Sequence, residues 1–344
     1  MFEKIRSLIF KFDPELAHNL AIKALKTNLV PVKVKNYESL KIKFLEKDIP
    51  NPIGIAAGFD KNAEVYNSLF KLGFGFVEVG TITPQPQYGN PKPRVFRLEE
   101  DEALINRLGF NNVGSEKASY NINNSTPRGL LGINIGPNKE TKNRIEDYLK
   151  CFRTLSHLCD YITINISSPN TENLRKFHDP KELEELLNLL NEEKKKINSQ
   201  TNIAVKIAPD IPFKDLDVIG NTILKNNVKF IIISNTSDGN RENLKNINKF
   251  ERGGLSGKPI EEKSNLLIKE FYKIFNEKIK IIGVGGIDSG KSAYEKFNSG
   301  ASYIQFYTGM VYQGPNIVNK ISEELNDILT SNGVKNIEEI IGSK

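Results

Sequence analysis

Eight short apolar stretches, each followed by a helical pattern, limit what this chain can fold into more than any other feature. They are Pro52–Gly58, Phe74–Thr81, Leu130–Gly136, Tyr161–Ser168, Asn202–Pro209, Lys229–Thr236, Lys280–Ile287 and Ser302–Gly309. Helical patterns such as Lys181–Lys196 and Ile260–Phe275 lie between them. Strands that alternate with helices build a parallel sheet, because each crossover returns the chain through a helix. Eight such units over roughly 290 residues predict an α/β fold, a closed (β/α)8 TIM barrel rather than an open sheet. No Pro/Ser/Gly-rich linker interrupts them, so residues 41–344 are expected to form one barrel domain.

In such a barrel the active site lies at the carboxyl ends of the strands. Those ends read Ala57-Gly58-Phe59-Asp60-Lys61, Gly80-Thr81, Asn134, Asn165 to Asn170, Lys206, Ser234-Asn235-Thr236, Gly283 to Gly286, and Tyr307-Thr308-Gly309. Nearly all carry a polar residue or glycine. Tyr161-Ile-Thr-Ile-Asn-Ile-Ser reads as a strand that must stop at Ser168-Pro169-Asn170, since proline lacks the N–H a ladder needs. Asn165, Ser168 and Asn170 then gather at its exit and suit a neutral, hydrogen-bonding small molecule. No histidine neighbours Ser168 and no Gly-x-Ser-x-Gly surrounds it, which excludes a typical acyl-transfer serine. It can accept a proton if hydrogen bonding activates it and water is excluded. The glycines of the last two exits, with Gly253 to Gly257, either make tight turns or approach phosphate through their N–H groups. Lys206, inside Ala204–Asp210, needs an anionic partner if buried: an acid at the barrel mouth, or the N1/O2 edge of a flavin. Ile82 to Asn112 and Asn170 to Asp179 exceed ordinary loop length and are expected to be lids or binding loops.

Residues 1–40 follow a different pattern. Phe2, Ile5, Leu8, Ile9 and Phe12 recur at helical spacing, and Asp13-Pro14 reads as a cap opening a second helix. That helix carries Leu16, Ala17, Leu20, Ala21, Ala24 and Leu25 on one face and is expected to end at Pro31. Residues 1–47 hold ten Lys/Arg against five acids, so +5 of the net +6 lies there. The pair is either a helical hairpin packed on the barrel or an interfacial element dipping into lipid. An anionic membrane surface suits the charge; nucleic acid has no supporting motif. His18 is either a core histidine or a polar group in an apolar channel. No apolar run reaches the ~18 residues of a membrane span, and Met1 to Val30 lacks the apolar run of a signal peptide. Cys151 and Cys159, eight apart in one helical pattern, are too distant to bridge and read as reduced thiols. Three histidines without a Cys/His cluster argue against zinc.

Taken together, NPIGIAAGFDKN, GFVEVGTITPQPQYGNPKPRVFRL, INRLGFNN, GINIG, INISSPNT, VKIAPD, GGLSGKP, IIGVGGIDSG and QFYTG resemble the dihydroorotate dehydrogenase family, in its membrane-associated, quinone-reducing branch (class 2). The resemblance runs from DPELAH at 13–18 to the last strand. It implies FMN held by Ala57, Gly58, Lys61, Thr81, Asn134, Asn165, Lys206, Ser234, Gly257, Gly286, Tyr307 and Thr308. It implies a pyrimidine held by Lys61, Asn106, Arg107, Leu108, Gly109, Phe110, Asn165, Asn170, Asn235 and Thr236. Ser168 would be the base, taking the C5 proton of dihydroorotate while hydride leaves C6 for the flavin. Class 1 relatives carry cysteine there. His18 and Arg97 fall where the family lines its quinone tunnel. Ser234 replaces the threonine of many relatives and keeps the hydroxyl. The implied partners are dihydroorotate or orotate, a membrane quinone and an anionic bilayer, at the cytoplasmic face of the inner membrane. No nucleic acid, metal or obligate protein partner is expected. A fumarate- or NAD-linked flavin barrel is disfavoured by serine at 168 and by the basic N-terminus, and a non-catalytic phosphate-binding barrel would lack flavin colour.

Overall fold

The computed structural model describes residues 2–27, 32–171, 173–239 and 241–343. All eight expected strands form, and they close into a parallel barrel in sequence order. A hairpin of β1 (Ile42–Phe44) and β2 (Lys47–Ile49) comes first, and β3 (Ile53–Ile55), β4 (Phe76–Ile82), β7 (Leu130–Ile135) and β8 (Tyr161–Asn165) make one half of the barrel. The other half is β9 (Asn202–Ile207), β10 (Phe230–Ile233), β12 (Lys280–Val284) and β13 (Tyr303–Phe306). The remaining strands, β5 (Val95–Leu98), β6 (Ala103–Asn106) and β11 (Gly254–Gly257), form a separate antiparallel sheet over the mouth.

Helices α1 (Phe2–Ile9) and α2 (Pro14–Lys26) precede the barrel. Around it lie α3 (Tyr66–Lys71), α4 (Ser115–Asn123), α5 (Arg144–Leu155), α6 (Pro180–Lys196) and α7 (Leu216–Lys225), then α8 (Glu261–Phe275), α9 (Gly290–Asn298), α10 (Thr308–Gln313) and α11 (Ile317–Ser331). Asp13 caps α2 by accepting from the N–H groups of Glu15 and Leu16. That helix ends at Lys26 with Thr27 as its cap; Pro31 lies outside the described residues. Among the described residues no helix is long and apolar enough to cross a membrane.

The β1–β2 hairpin plugs the amino-terminal floor of the barrel. Phe44 is fully buried there, stacked on Tyr303 at 4.0 Å between ring centroids, with Phe76, Tyr161 and Phe230 around it. Gly132 leaves room for this layer, since a Cβ there would meet the Tyr161 ring at 2.2 Å. With the floor filled by aromatic rings, the barrel's polar interior opens only toward the strand exits.

Three expectations need correction. The span Ile82 to Asn112 is not an irregular loop. Its second half is the β5–β6 hairpin, where Leu98, Ala103 and Ile105 bury a small satellite core with Leu244, Leu255 and Ile260. Several barrel strands end sooner than expected. In β8 the Asn165 carboxamide accepts from the N–H and hydroxyl of Ser167, a turn that takes the backbone off the ladder before Ser168. The two cysteines do not share a helix: Cys151 lies in α5, whereas Cys159 follows a 3-10 turn beyond its end, and both are free.

Candidate active site

The exits of the barrel strands converge on one cleft, roofed by the β5–β6–β11 sheet. Ala57, Gly58, Lys61, Thr81, Asn165, Ser168, Lys206, Ser234, Gly257, Gly286, Tyr307 and Thr308 line it. So do Asn106, Leu108, Gly109, Phe110, Asn170, Asn235 and Thr236. Eleven of the twelve residues expected at a cofactor therefore share this cleft, with Asn134 buried just beneath. Arg107 is the exception. Its guanidinium pairs with Glu251 at 2.6 Å and lies over the Phe96 ring, on the far side of the β5–β6 hairpin. Only its neighbours on that strand exit reach the cleft.

A ladder of carboxamides runs up the inside of the barrel. At its root Glu78, fully buried, accepts from Asn134 Nδ2 at 2.9 Å, Tyr161 OH at 3.0 Å and Gln305 Nε2 at 3.1 Å. Asn134 Oδ1 accepts from Thr81 Oγ1 at 2.6 Å and from Asn165 Nδ2 at 3.1 Å. Asn165 Oδ1 in turn accepts from Asn235 Nδ2 at 3.3 Å. The carboxylate takes only donors, so it forces each amide above to point its NH2 group down and its carbonyl up. Glu78 was not anticipated from the sequence, although the argument used for Lys206, a charge inside an apolar strand, applies to it equally. Asn111 was missed as well; it lines the cleft and its buried Oδ1 has no partner.

Lys206 projects into the cleft beside this ladder. It is buried and, among the described residues, makes no hydrogen bond or ion pair within bonding distance. Burial lowers its pKa, partly offset by the charge of Glu78. A buried ammonium facing an open cleft is a site for an anion. Two strands along the rim, at the exit of β12, Gly285 and Gly286 have φ of 120° and 79°, a region L-residues rarely adopt, and they line the cleft with Thr308 at the start of α10. A Cβ on Gly286 would come within 2.3 Å of Glu261 Cβ, so this position accepts glycine only.

Ser168 sits on the cleft wall, 6% exposed, and its Oγ accepts from the backbone N–H of Asn170 at 3.2 Å. The segment that carries it is held from behind. Arg175 donates to Ser167 O at 3.1 Å and Thr236 O at 3.2 Å and pairs with Asp238 at 2.6 Å.

A second, apolar cavity opens between α1, α2 and the barrel mouth. His18 and Arg97 both line it, with Phe2, Ile9, Ala17, Leu20 and Phe59. Tyr307 lines both cavities. Lys61, from the first cleft, donates to His18 Nε2 at 3.2 Å, so the two spaces meet at this pair. Burial and then the Lys61 charge hold His18 well below its ordinary pKa, so it is neutral near pH 7. Burial brings Lys61 down to about 8, against the opposing pull of Glu15 and Asp60. Arg97 donates to Phe10 O at 3.1 Å and Phe12 O at 2.9 Å and lies over the Phe10 ring, tying α1 to the β5 strand.

A family model described as dihydroorotate dehydrogenase matches residues 39–329. The chain is 43% identical over 331 residues to a protein of Nitrosomonas europaea named dihydroorotate dehydrogenase (quinone), covering 93% of this chain and 96% of that one. Its counterpart of the same name in Brucella anthropi is 44% identical over 344 residues, covering 98% and 94%. Among solved structures, the ligand-free enzyme of Eimeria tenella superposes with a TM-score of 0.92 at 36% identity, over 96% of this chain and 99% of that one. A ferulenol complex of the Eimeria protein matches with the same TM-score at 35% identity, over 96% of this chain and 95% of that one.

Proposed function

Since the chain belongs to the dihydroorotate dehydrogenase family, in its quinone-linked branch, we propose that the barrel cleft holds FMN and dihydroorotate together and that the apolar cavity admits the quinone. The enzyme oxidises dihydroorotate to orotate in pyrimidine biosynthesis, with a quinone as electron acceptor. One observation carries the assignment of roles: a buried serine hydroxyl, an unpaired buried lysine and a glycine arc line a single cleft.

FMN fits the residues present. Lys206 would offset the negative charge of a reduced flavin ring held in the cleft, and the Gly285–Gly286 arc with Thr308 would hold the phosphate. When bound, the flavin supplies a hydride acceptor and relays electrons to the quinone. Every other function belongs to the chain. Ser168 Oγ takes the proton from C5 of dihydroorotate. Asn106, Asn165, Asn170 and Asn235 read the ring and carboxylate; the amides of Asn165 and Asn235 are aligned from Glu78 through Asn134, and Asn170 Nδ2 donates to Asn106 O. The Lys61 ammonium neutralises the substrate carboxylate. Leu108, Gly109 and Phe110 close the cleft and exclude water.

Residues 1–40 form the unit that serves quinone and membrane. Ile5, Leu8, Phe12, Leu16 and Leu20 are all about half exposed, and Phe12 and Leu20 also line the apolar cavity. Such a face with basic flanks supports peripheral docking on an anionic bilayer at the cytoplasmic side of the inner membrane. The test is to purify the full-length protein, record its flavin spectrum, and follow dihydroorotate-dependent reduction of a soluble quinone. Colourless protein, or flavin that dihydroorotate does not bleach, would refute the reading.

A further inference from the structure

Lys296, on α9, is fully buried although it lies behind the cleft wall and the chemistry at Ser168 does not require it. A buried ammonium is unfavourable unless an anion compensates it. Its stem packs on β12, where a Cβ on Gly283 would come within 2.6 Å of Lys296 Cγ. Its Nζ donates to Ser264 Oγ at 3.1 Å, and Ser264 Oγ donates to Val284 O at 2.7 Å. Gly285 rests on the same serine, 3.3 Å from Ser264 Cβ to where its own Cβ would stand. The ammonium is therefore one hydroxyl behind the Val284–Gly286 arc that lines the cleft.

The charges around the arc do not by themselves favour an anion. Glu261, at the start of α8, touches Gly286, and Asp288 lies beyond it. Lys258 is largely exposed and paired with Glu102. Glu295 is a further acid on α9 itself. Glu261 is the carboxylate that acts on Lys296. Backbone N–H groups alone would thus face a phosphate while two nearby carboxylates repel it.

We infer that Lys296 is a positioning residue for the phosphate of the cofactor: its ammonium supplies the opposite charge behind the Gly285–Gly286 arc, and Ser264 fixes it to the carbonyl of the arc. The inference rests on the phosphate reading given above. Burial brings Lys296 to about 7, with Glu261 pulling the other way, so in flavin-free protein it is partly neutral at physiological pH. A phosphate dianion nearby favours the ammonium and raises that pKa, so binding takes up a proton in the interval above pH 7.

Full-length protein stripped of flavin is titrated with FMN and with riboflavin, which has the same ring and no phosphate, by flavin fluorescence. Lys296→Met should weaken FMN binding by about tenfold and leave riboflavin within about twofold of wild type. Calorimetry of the wild type at about pH 8, in buffers of different ionisation enthalpy, should show proton uptake with FMN and none with riboflavin. That measurement needs no variant and decides the matter if Lys296→Met does not fold. Equal loss of both flavins in Lys296→Met, or no proton uptake with FMN in the wild type, would overturn the role of Lys296. Wild-type protein that binds both flavins equally would overturn the phosphate assignment itself.

Discussion

Glu15→Ala should undock the N-terminal helices while leaving the barrel intact. Glu15 stands in the first turn of α2 and grips Arg94 with both oxygens, at 3.0 Å to Nε and 2.6 Å to Nη2. Arg94 is 3% exposed and spends its remaining donor, Nη1, on Tyr88 O and Asn90 O. Alanine would leave the guanidinium buried with Nε and Nη2 unpaired. Breaking a fully buried pair costs ~3–5 kcal/mol. Glu15 keeps 12% of its side chain in solvent, so water can enter the gap and a loss of ~2 kcal/mol is expected. That is a ~30-fold rise in the undocked population. The other ties remain in the variant: Arg97 holds two carbonyls of the α1–α2 turn, Lys61 hydrogen-bonds His18, Ser68 donates to Leu25 O, Arg6 donates to Tyr312 O, and Lys26–Glu64 is an exposed pair worth ~0–1 kcal/mol. Hydrogen exchange read by mass spectrometry should show α2 amides ~30-fold less protected, with β4, β7 and β8 unchanged. Activity with a long-tailed quinone should fall, while bleaching of flavin by dihydroorotate continues at the wild-type rate. The pH dependence has a definite sign. Burial alone would raise the Glu15 pKa, but the hydrogen bond and charge of Arg94 outweigh it and the net shift is downward. A depressed carboxylate stabilises the docked state above its unfolded value of 4.5 and loses that contribution as pH falls through the lower folded value. Wild-type α2 should therefore lose protection on acidification below that point, and the variant should not. If α2 in Glu15→Ala exchanges within about threefold of wild type, Glu15 does not hold the hairpin and apolar contacts do.

Ser168→Ala should keep its flavin and still bind orotate but slow flavin bleaching by ~10²–10⁴ in stopped flow; a normal rate would show that another group takes the proton. kcat/KM for dihydroorotate should decline above about pH 8, because Lys61 at about 8 loses the proton that attracts the carboxylate, and Lys61→Met should flatten that limb. Gly286→Ala forces a Cβ against Glu261 at a φ of 79°, so the purified variant should carry little flavin by absorbance; full occupancy would refute the tight fit of the arc.

Much of the barrel was legible in the chain because it depends on local pattern. Eight apolar runs, interrupted at helical intervals, leave a parallel closed sheet as the way to bury both faces of every strand. The polar residue or glycine at each run's end then had to reach the same rim, since parallel strands in a barrel all exit on one side. This is why Thr81, Asn165, Ser168, Lys206 and Thr308 were located without coordinates, and why they share one cleft. The family resemblance added roles to positions that the pattern had already gathered.

Long-range pairing decided the rest. The β5–β6 hairpin was read as loop because four prolines precede it and because its third strand, β11, comes roughly 150 residues later. No local period signals a partner that distant. Arg107 sits amid residues that do line the cleft, yet alternation along an extended segment turns its side chain to Glu251 on the opposite face. Glu78 is a charge inside an apolar strand, visible as such in the sequence, whereas Lys296 stands between Glu295 and Phe297 in a mixed helical segment and only the fold buries it; what each faces depends on which strand and helix lie alongside. Glu78 became the root of an amide ladder because β7, β8 and β13 bring Asn134, Tyr161 and Gln305 to it. The residue types and the strand order came from the chain; the direction in which each buried charge acts came from neighbours that only closure of the barrel supplies.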